Sequence, residues 1–127
     1  MGKVILVCDD EVDVAQTVKH RLESVGFEVF IASDGIQSVA GAHKHNPDLI
    51  LLDISMPAGG GHMVYEKLKQ STTTQDIPIM FFSALQESEI IKKTNQLGAA
   101  GYITKPYDPK EMISKIQKVL EENRTKG

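Results

Sequence analysis

Four uninterrupted apolar runs, each closed by a residue able to do chemistry, constrain the fold of this chain more than any other feature. Val4-Ile5-Leu6-Val7-Cys8 ends on Asp9-Asp10, and Leu49-Ile50-Leu51-Leu52 ends on Asp53. Ile79-Met80-Phe81-Phe82 ends on Ser83, and the shorter Gly101-Tyr102-Ile103-Thr104 ends on Lys105-Pro106. Apolar runs without polar alternation suit strands of a parallel sheet covered by helices on both faces. Ligands bind such sheets in the crevice outside the carboxyl ends of the strands, where these polar residues would meet.

Helical segments fill the gaps. Residues 12–25 carry Val14, Ala15, Val18, Leu22 and Val25 at helical spacing, with Gly26 as the stop. A further strand is expected at 27–32, and Ser33-Asp34-Gly35 opens a helix over 35–45 that Asn46-Pro47 ends. The stretch Met56-Pro57-Ala58-Gly59-Gly60-Gly61 reads as a loop before a helix at 62–70, and the polar residues 71–76 read as a surface connection. A helix over 86–97 closes at Gly98; the last one takes Asp108 as its cap and Pro109 as its first residue, with Met112, Ile113, Ile116, Val119 and Leu120 on one face. The pattern is (βα)5, an α/β chain with a five-stranded parallel sheet and no internal repeat or linker.

A chain of 127 residues is expected to be a single domain, residues 1–127, which buries about two-thirds of its unfolded surface without staples. Its lone Cys8 has no partner in the chain, which fits a reducing, cytoplasmic compartment. The first apolar run is far short of the roughly 18 residues a membrane span needs. A net charge of −3 without a basic block argues against direct binding of nucleic acid.

Asp9, Asp10 and Asp53 gathered at one site repel one another unless cations hold them. A Mg²⁺ ion takes oxygen ligands, accepts a few carboxylates and keeps waters that phosphate oxygens can replace; Mn²⁺ would serve as well. Lys105 adds a point charge on a long stem, suited first to a carboxylate and then to a phosphoryl oxygen. Phosphoryl transfer asks of a protein little more than positioning and charge neutralisation, and an aspartate can be the acceptor. These residues therefore describe an acidic, metal-dependent phosphoryl pocket.

Asp9-Asp10, Asp53, Ser83-Ala84 and Lys105-Pro106, in that order and each at a strand end, resemble the receiver domain of two-component response regulators over essentially the whole chain. The resemblance implies a flavodoxin-like doubly wound sandwich with strand order 2-1-3-4-5. It implies Asp53 as phosphoacceptor, Asp10 as a Mg²⁺ ligand, Asp9 acting through metal-bound water, and Ser55 giving a backbone carbonyl to the metal. Ser83, Ala84 and Lys105 would bind the phosphoryl group, and Ser83 with Tyr102 would form the switch. The chain would be a switch and not an enzyme, charged by a histidine kinase or phosphotransfer protein. It would be read by a partner at the face of helix 86–97, strand 101–104 and the final helix.

Family members commonly follow the acceptor with Met-Pro, any residue, an apolar residue, Asp and Gly; here Gly59 and Gly60 replace the apolar and acidic members. Three successive glycines predict a loop more mobile than usual beside Asp53. Singly, Asp9-Asp10 reads equally as a helix cap, Ser83 as a turn hydroxyl and Tyr102 as a half-buried strand residue. Cys8 reads as a core hydrophobe, and His20, His43, His45 and His62 as solvated surface. The alternative function is a dehalogenase-type Mg²⁺-dependent phosphatase, which also uses a strand-end aspartate and a lysine. Such enzymes usually carry a second aspartate two residues after the nucleophile, where this chain has Ser55. A flavodoxin-like cofactor binder is poorly served by a pocket lined with carboxylates, which would repel phosphate without metal, and no Gly-x-x-x-x-Gly-Lys loop occurs.

Overall fold

Successive side chains of a strand point to opposite faces, so each apolar run supplies both sides of the sheet at once. Leu6, Cys8, Ile50, Leu52, Ile79 and Phe81 line one face, and Ile5, Val7, Leu49, Leu51, Met80 and Phe82 line the other. The computed structural model describes residues 2–56 and 60–126, with 124–126 as backbone alone; Pro57, Ala58 and Gly59 of the expected loop lie outside them. The strands are β1 (Val4–Cys8), β2 (Glu28–Ala32), β3 (Leu49–Asp53), β4 (Ile79–Ser83) and β5 (Gly101–Thr104). They form one parallel sheet in the order β2-β1-β3-β4-β5, with Cys8 beside Leu52, Asp53 beside Phe82 and Ser83 beside Thr104.

The helices are α1 (Val12–Glu23), α2 (Gly35–His45), α3 (Gly60–Gln70), α4 (Glu87–Leu97) and α5 (Pro109–Lys126). Buried residues of α1 and α5, among them Ala15, Val18, Leu22, Met112 and Ile116, cover one face of the sheet. Those of α2, α3 and α4, including Ala42, Val64, Leu68 and Ile90, cover the other. The caps follow the sequence: Asp34 accepts from Gln37 N, Asp108 accepts from Glu111 N at 2.9 Å, and Gly98 closes α4 with φ 79°. Helix and sheet thus form three layers, the flavodoxin-like arrangement expected.

Two helix boundaries differ by two residues from the sequence reading. Helix α1 stops at Glu23, two residues early, because Gly26 N and Phe27 N bond back to Glu23 and Leu22; Val25 is left exposed. Helix α3 starts at Gly60, not at residue 62. Gly61 is buried and donates to Ile54 O, and a Cβ there would lie 2.5 Å from Ile54 Cα and 2.7 Å from Asp53 O. Only glycine lets α3 approach the end of β3 so closely. The residues called a mobile loop are, at Gly60 and Gly61, the packed start of a helix.

At the amino ends of the strands, loops are tied down by matched polar groups. Val4 N donates to Asp48 Oδ2 at 2.8 Å, and Asp48 N returns a bond to Val4 O. Within 71–76, read as surface, Thr74 is buried and its hydroxyl donates to Leu68 O at 2.7 Å. Lys69 Nζ donates to Gln75 O at 2.9 Å and Ile77 O at 3.1 Å. His45 was expected in solvent but stacks on Phe30 with ring centroids 3.6 Å apart, closing the edge of β2 with the last turn of α2.

Candidate functional site

The chain leaves β1 at Asp9, whose amide still pairs with Ala32 O at 3.0 Å. Its side chain is wholly buried and turns back on the chain, with Oδ1 accepting from Glu11 N at 2.9 Å. Asp10 is exposed at the rim. Asp53 is the last residue of β3, nearly buried, with Oδ1 accepting from Ser55 N at 2.9 Å. Among the described residues Oδ2 of Asp53 receives no backbone donor, and it faces Lys105 Nζ at 3.4 Å.

Lys105 arrives from the end of β5, its amide fixed on Ser83 O at 2.8 Å across a cis peptide to Pro106 on its other side. The ammonium lies 4.7 Å from the centre of the Phe82 ring, whose face attracts a cation. It reaches Asp9 Oδ2 at 2.8 Å and Glu11 Oε1 at 3.0 Å, closer than it comes to Asp53. Burial alone would lower its pKa, but the close carboxylates of Asp9 and Glu11 and the charge of Asp53 outweigh burial and push it up to about 12. Burial pushes the Asp53 carboxyl above its ordinary range, and the Asp9 charge adds to this; the Ser55 amide and Lys105 pull the other way.

Asp9, Asp10 and Asp53 each offer a carboxylate oxygen, all within 4.8 Å of one another. Asp9 Oδ2 is buried and ion-paired but off the angle a hydrogen bond requires. An oxygen-only donor set with one orphaned lone-pair site suits a hard divalent cation. The expected acidic residues and Lys105 therefore come together.

The side chains of Ser83 and Tyr102 are engaged with other partners. Ser83 is buried and its Oγ accepts from Leu85 N at 3.0 Å, while Ala84 lies exposed beside it. Tyr102 sends its hydroxyl outward to Glu87 Oε2 at 3.1 Å, with Lys115 Nζ 4.8 Å from the ring centre. Sequence reasoning missed Glu11, Phe82 and Glu87. Glu11 was within reach as the third acid of Asp9-Asp10-Glu11; the other two have no sequence signal of their own. Cys8, beside this site, is inert: burial pushes its thiol up to about 12, against a hydrogen bond to Ser38 and with help from Asp9.

Residues 5–117 match the response regulator receiver domain. The chain belongs to the response regulator receiver domain family. It is 38% identical over 120 residues to the phosphate regulon transcriptional regulatory protein PhoB of Escherichia coli, covering 94% of this chain and 52% of that protein. The match to the transcriptional regulator RpaA of Synechocystis is 35% identical over 116 residues, covering 91% of this chain and 48% of RpaA. The receiver thus spans about half the length of the curated relatives it matches. Among solved structures it resembles a CheY-like receiver domain protein of Methanospirillum hungatei, with 28% identity, a TM-score of 0.90 and full coverage of both chains. The chemotaxis regulator CheY4 of Vibrio cholerae is also similar, at 28% identity and a TM-score of 0.86, over 94% of this receiver and 99% of CheY4. These likenesses are to signalling receivers, and the dehalogenase-type alternative finds no support in them. No helix among the described residues is long and apolar enough to cross a membrane.

Proposed function

We propose that residues 1–127 act as one receiver domain that takes a phosphoryl group onto Asp53 and changes its partner-binding surface in response. The observation that carries this is the state of Asp53 Oδ2: it lies at a strand end, faces a lysine ammonium and, among the described residues, has no backbone donor. That oxygen attacks phosphorus; the bond from phosphorus to the donor's leaving group breaks, and an acyl phosphate forms. A Mg²⁺ or Mn²⁺ ion, held by Asp10, Asp53 and the Ser55 carbonyl with Asp9 acting through water, would supply positive charge to the incoming phosphoryl oxygens. Lys105 supplies the second charge and follows the phosphoryl group once it is bonded.

Ser83 and Ala84 receive a phosphoryl oxygen in this reading, the hydroxyl leaving Leu85 N to donate to it. Tyr102, held outward by Glu87, is the aromatic that turns inward as Ser83 moves. The surface so altered consists of α4, β5 and α5, which we assign to a downstream protein. The donor is a histidine kinase or phosphotransfer protein, and the setting is cytoplasmic. The domain assists its own phosphorylation and dephosphorylation but turns over no separate substrate.

Incubation with acetyl phosphate and Mg²⁺ should add one phosphoryl group per chain, lost in base or hydroxylamine, and Asp53→Asn should abolish it. Equal labelling of the Asn variant would overturn the assignment.

A further inference from the structure

Lys105 has three ammonium protons and three carboxylate neighbours, and the two it approaches most closely are not the proposed acceptor. Asp9 is fixed and wholly buried. Glu11 is different: its side chain is 60% exposed and reaches in from solvent, where its Oε1 accepts from an ammonium 94 residues away in the chain. It occupies the N-cap position of α1, yet its side chain caps no backbone amide. Its backbone is pinned, because Glu11 N donates to Asp9 Oδ1. The side chain thus leaves an anchored point and gives its carboxylate to Lys105 instead of to the helix.

A phosphoryl group bonded to Asp53 Oδ2 needs the space in front of that oxygen, where the ammonium now lies 3.4 Å away. Lys105 must shift to the phosphoryl oxygens. We propose that Glu11 is a positioning residue that holds Lys105 at the mouth of the pocket in the unphosphorylated protein, so that release of this contact is part of the barrier to phosphorylation. This rests on Asp53 being the acceptor. A contact made in the ground state and lost in the transition state slows the step by its own strength. For an exposed ion pair that is about two- to fivefold in rate.

The test measures phosphorylation of the whole chain by acetyl phosphate with Mg²⁺, as a function of donor concentration, in the parent, Glu11→Gln and Glu11→Asp. Aspartate keeps the charge but is one methylene too short to hold the ammonium. Both variants should raise the limiting rate about two- to fivefold. If only Glu11→Gln gains, and gains by a lower half-saturating donor concentration that salt erases, Glu11 merely repels an anionic donor and the proposal falls. Limiting rates unchanged or lowered in both variants overturn it as well. A second measurement needs no phosphorylation: nitrogen-15 relaxation of Lys105 Nζ, without metal or donor, should show a more mobile ammonium in both variants. Rigidity equal to the parent's would refute the hold. Asp53→Asn serves as control, since persistent labelling there removes the acceptor assignment while the relaxation result still decides what Glu11 does.

Discussion

At the amino ends of the strands, Asp48, Thr74 and Lys69 each meet a backbone partner at 2.7–3.1 Å, whereas at the carboxyl ends three carboxylates share one ammonium and a fourth, Asp10, stands beside two of them. The same sheet carries both. At one end burial of polar groups is compensated locally, so those groups stabilise the fold. At the other, negative charge is concentrated beyond what Lys105 neutralises, and the excess is what a divalent cation can balance. Function sits where the fold leaves its electrostatics incomplete.

The comparison predicts opposite responses at the two ends, with the largest at the shared cation. Lys105→Met should destabilise the metal-free protein by about 3–5 kcal/mol, because it leaves Asp9 buried and unpaired. Chemical denaturation checks this, and a loss under 1 kcal/mol would mean the acidic end compensates itself after all. Mg²⁺ comes next: at about 100 times its dissociation constant it should stabilise the native state by about 2.7 kcal/mol, by mass action. Asp10→Ala should abolish that response in a thermal melt; retained binding would break the assignment of Asp10 to the metal.

The smaller effects differ in sign. Thr74→Val removes a buried donor to Leu68 O and should cost about 1–2 kcal/mol. Asp53→Asn removes a buried charge from a crowded site and should raise metal-free stability, while making the protein indifferent to acetyl phosphate. Measured side by side in urea, equal signs for the two variants would dissolve the contrast between the ends.

Much of this was readable in the sequence, for a physical reason. A strand buried on both faces must be apolar throughout, so the first polar residue after it marks the crevice; that placed Asp9, Asp53, Ser83 and Lys105 before any coordinates. Glu11 escaped because its meaning depends on Lys105, which is remote in the chain and brought near only by β5 lying two strands from β3. Thr74 sits in a polar run whose hydroxyls look solvated until one of them finds a carbonyl. His45 likewise acquires a neighbour only when α2 lies down on β2. Gly60 and Gly61 were misread for the opposite reason: glycine argues locally against a helix, but the approach of α3 to Asp53 and Ile54 overrides that preference.

Cys8 has a practical corollary. Its sulfur is shut inside β1 and burial pushes the thiol up to about 12, so thiol reagents should leave it unlabelled in the native protein at neutral pH. Any cysteine introduced on the surface becomes the sole attachment point for a dye or spin label. Ile36, 85% exposed on α2, and Ile91, 38% exposed on α4, offer two such stations on different helices. Singly labelled proteins would let spectroscopy follow each helix in turn as the domain is phosphorylated and dephosphorylated.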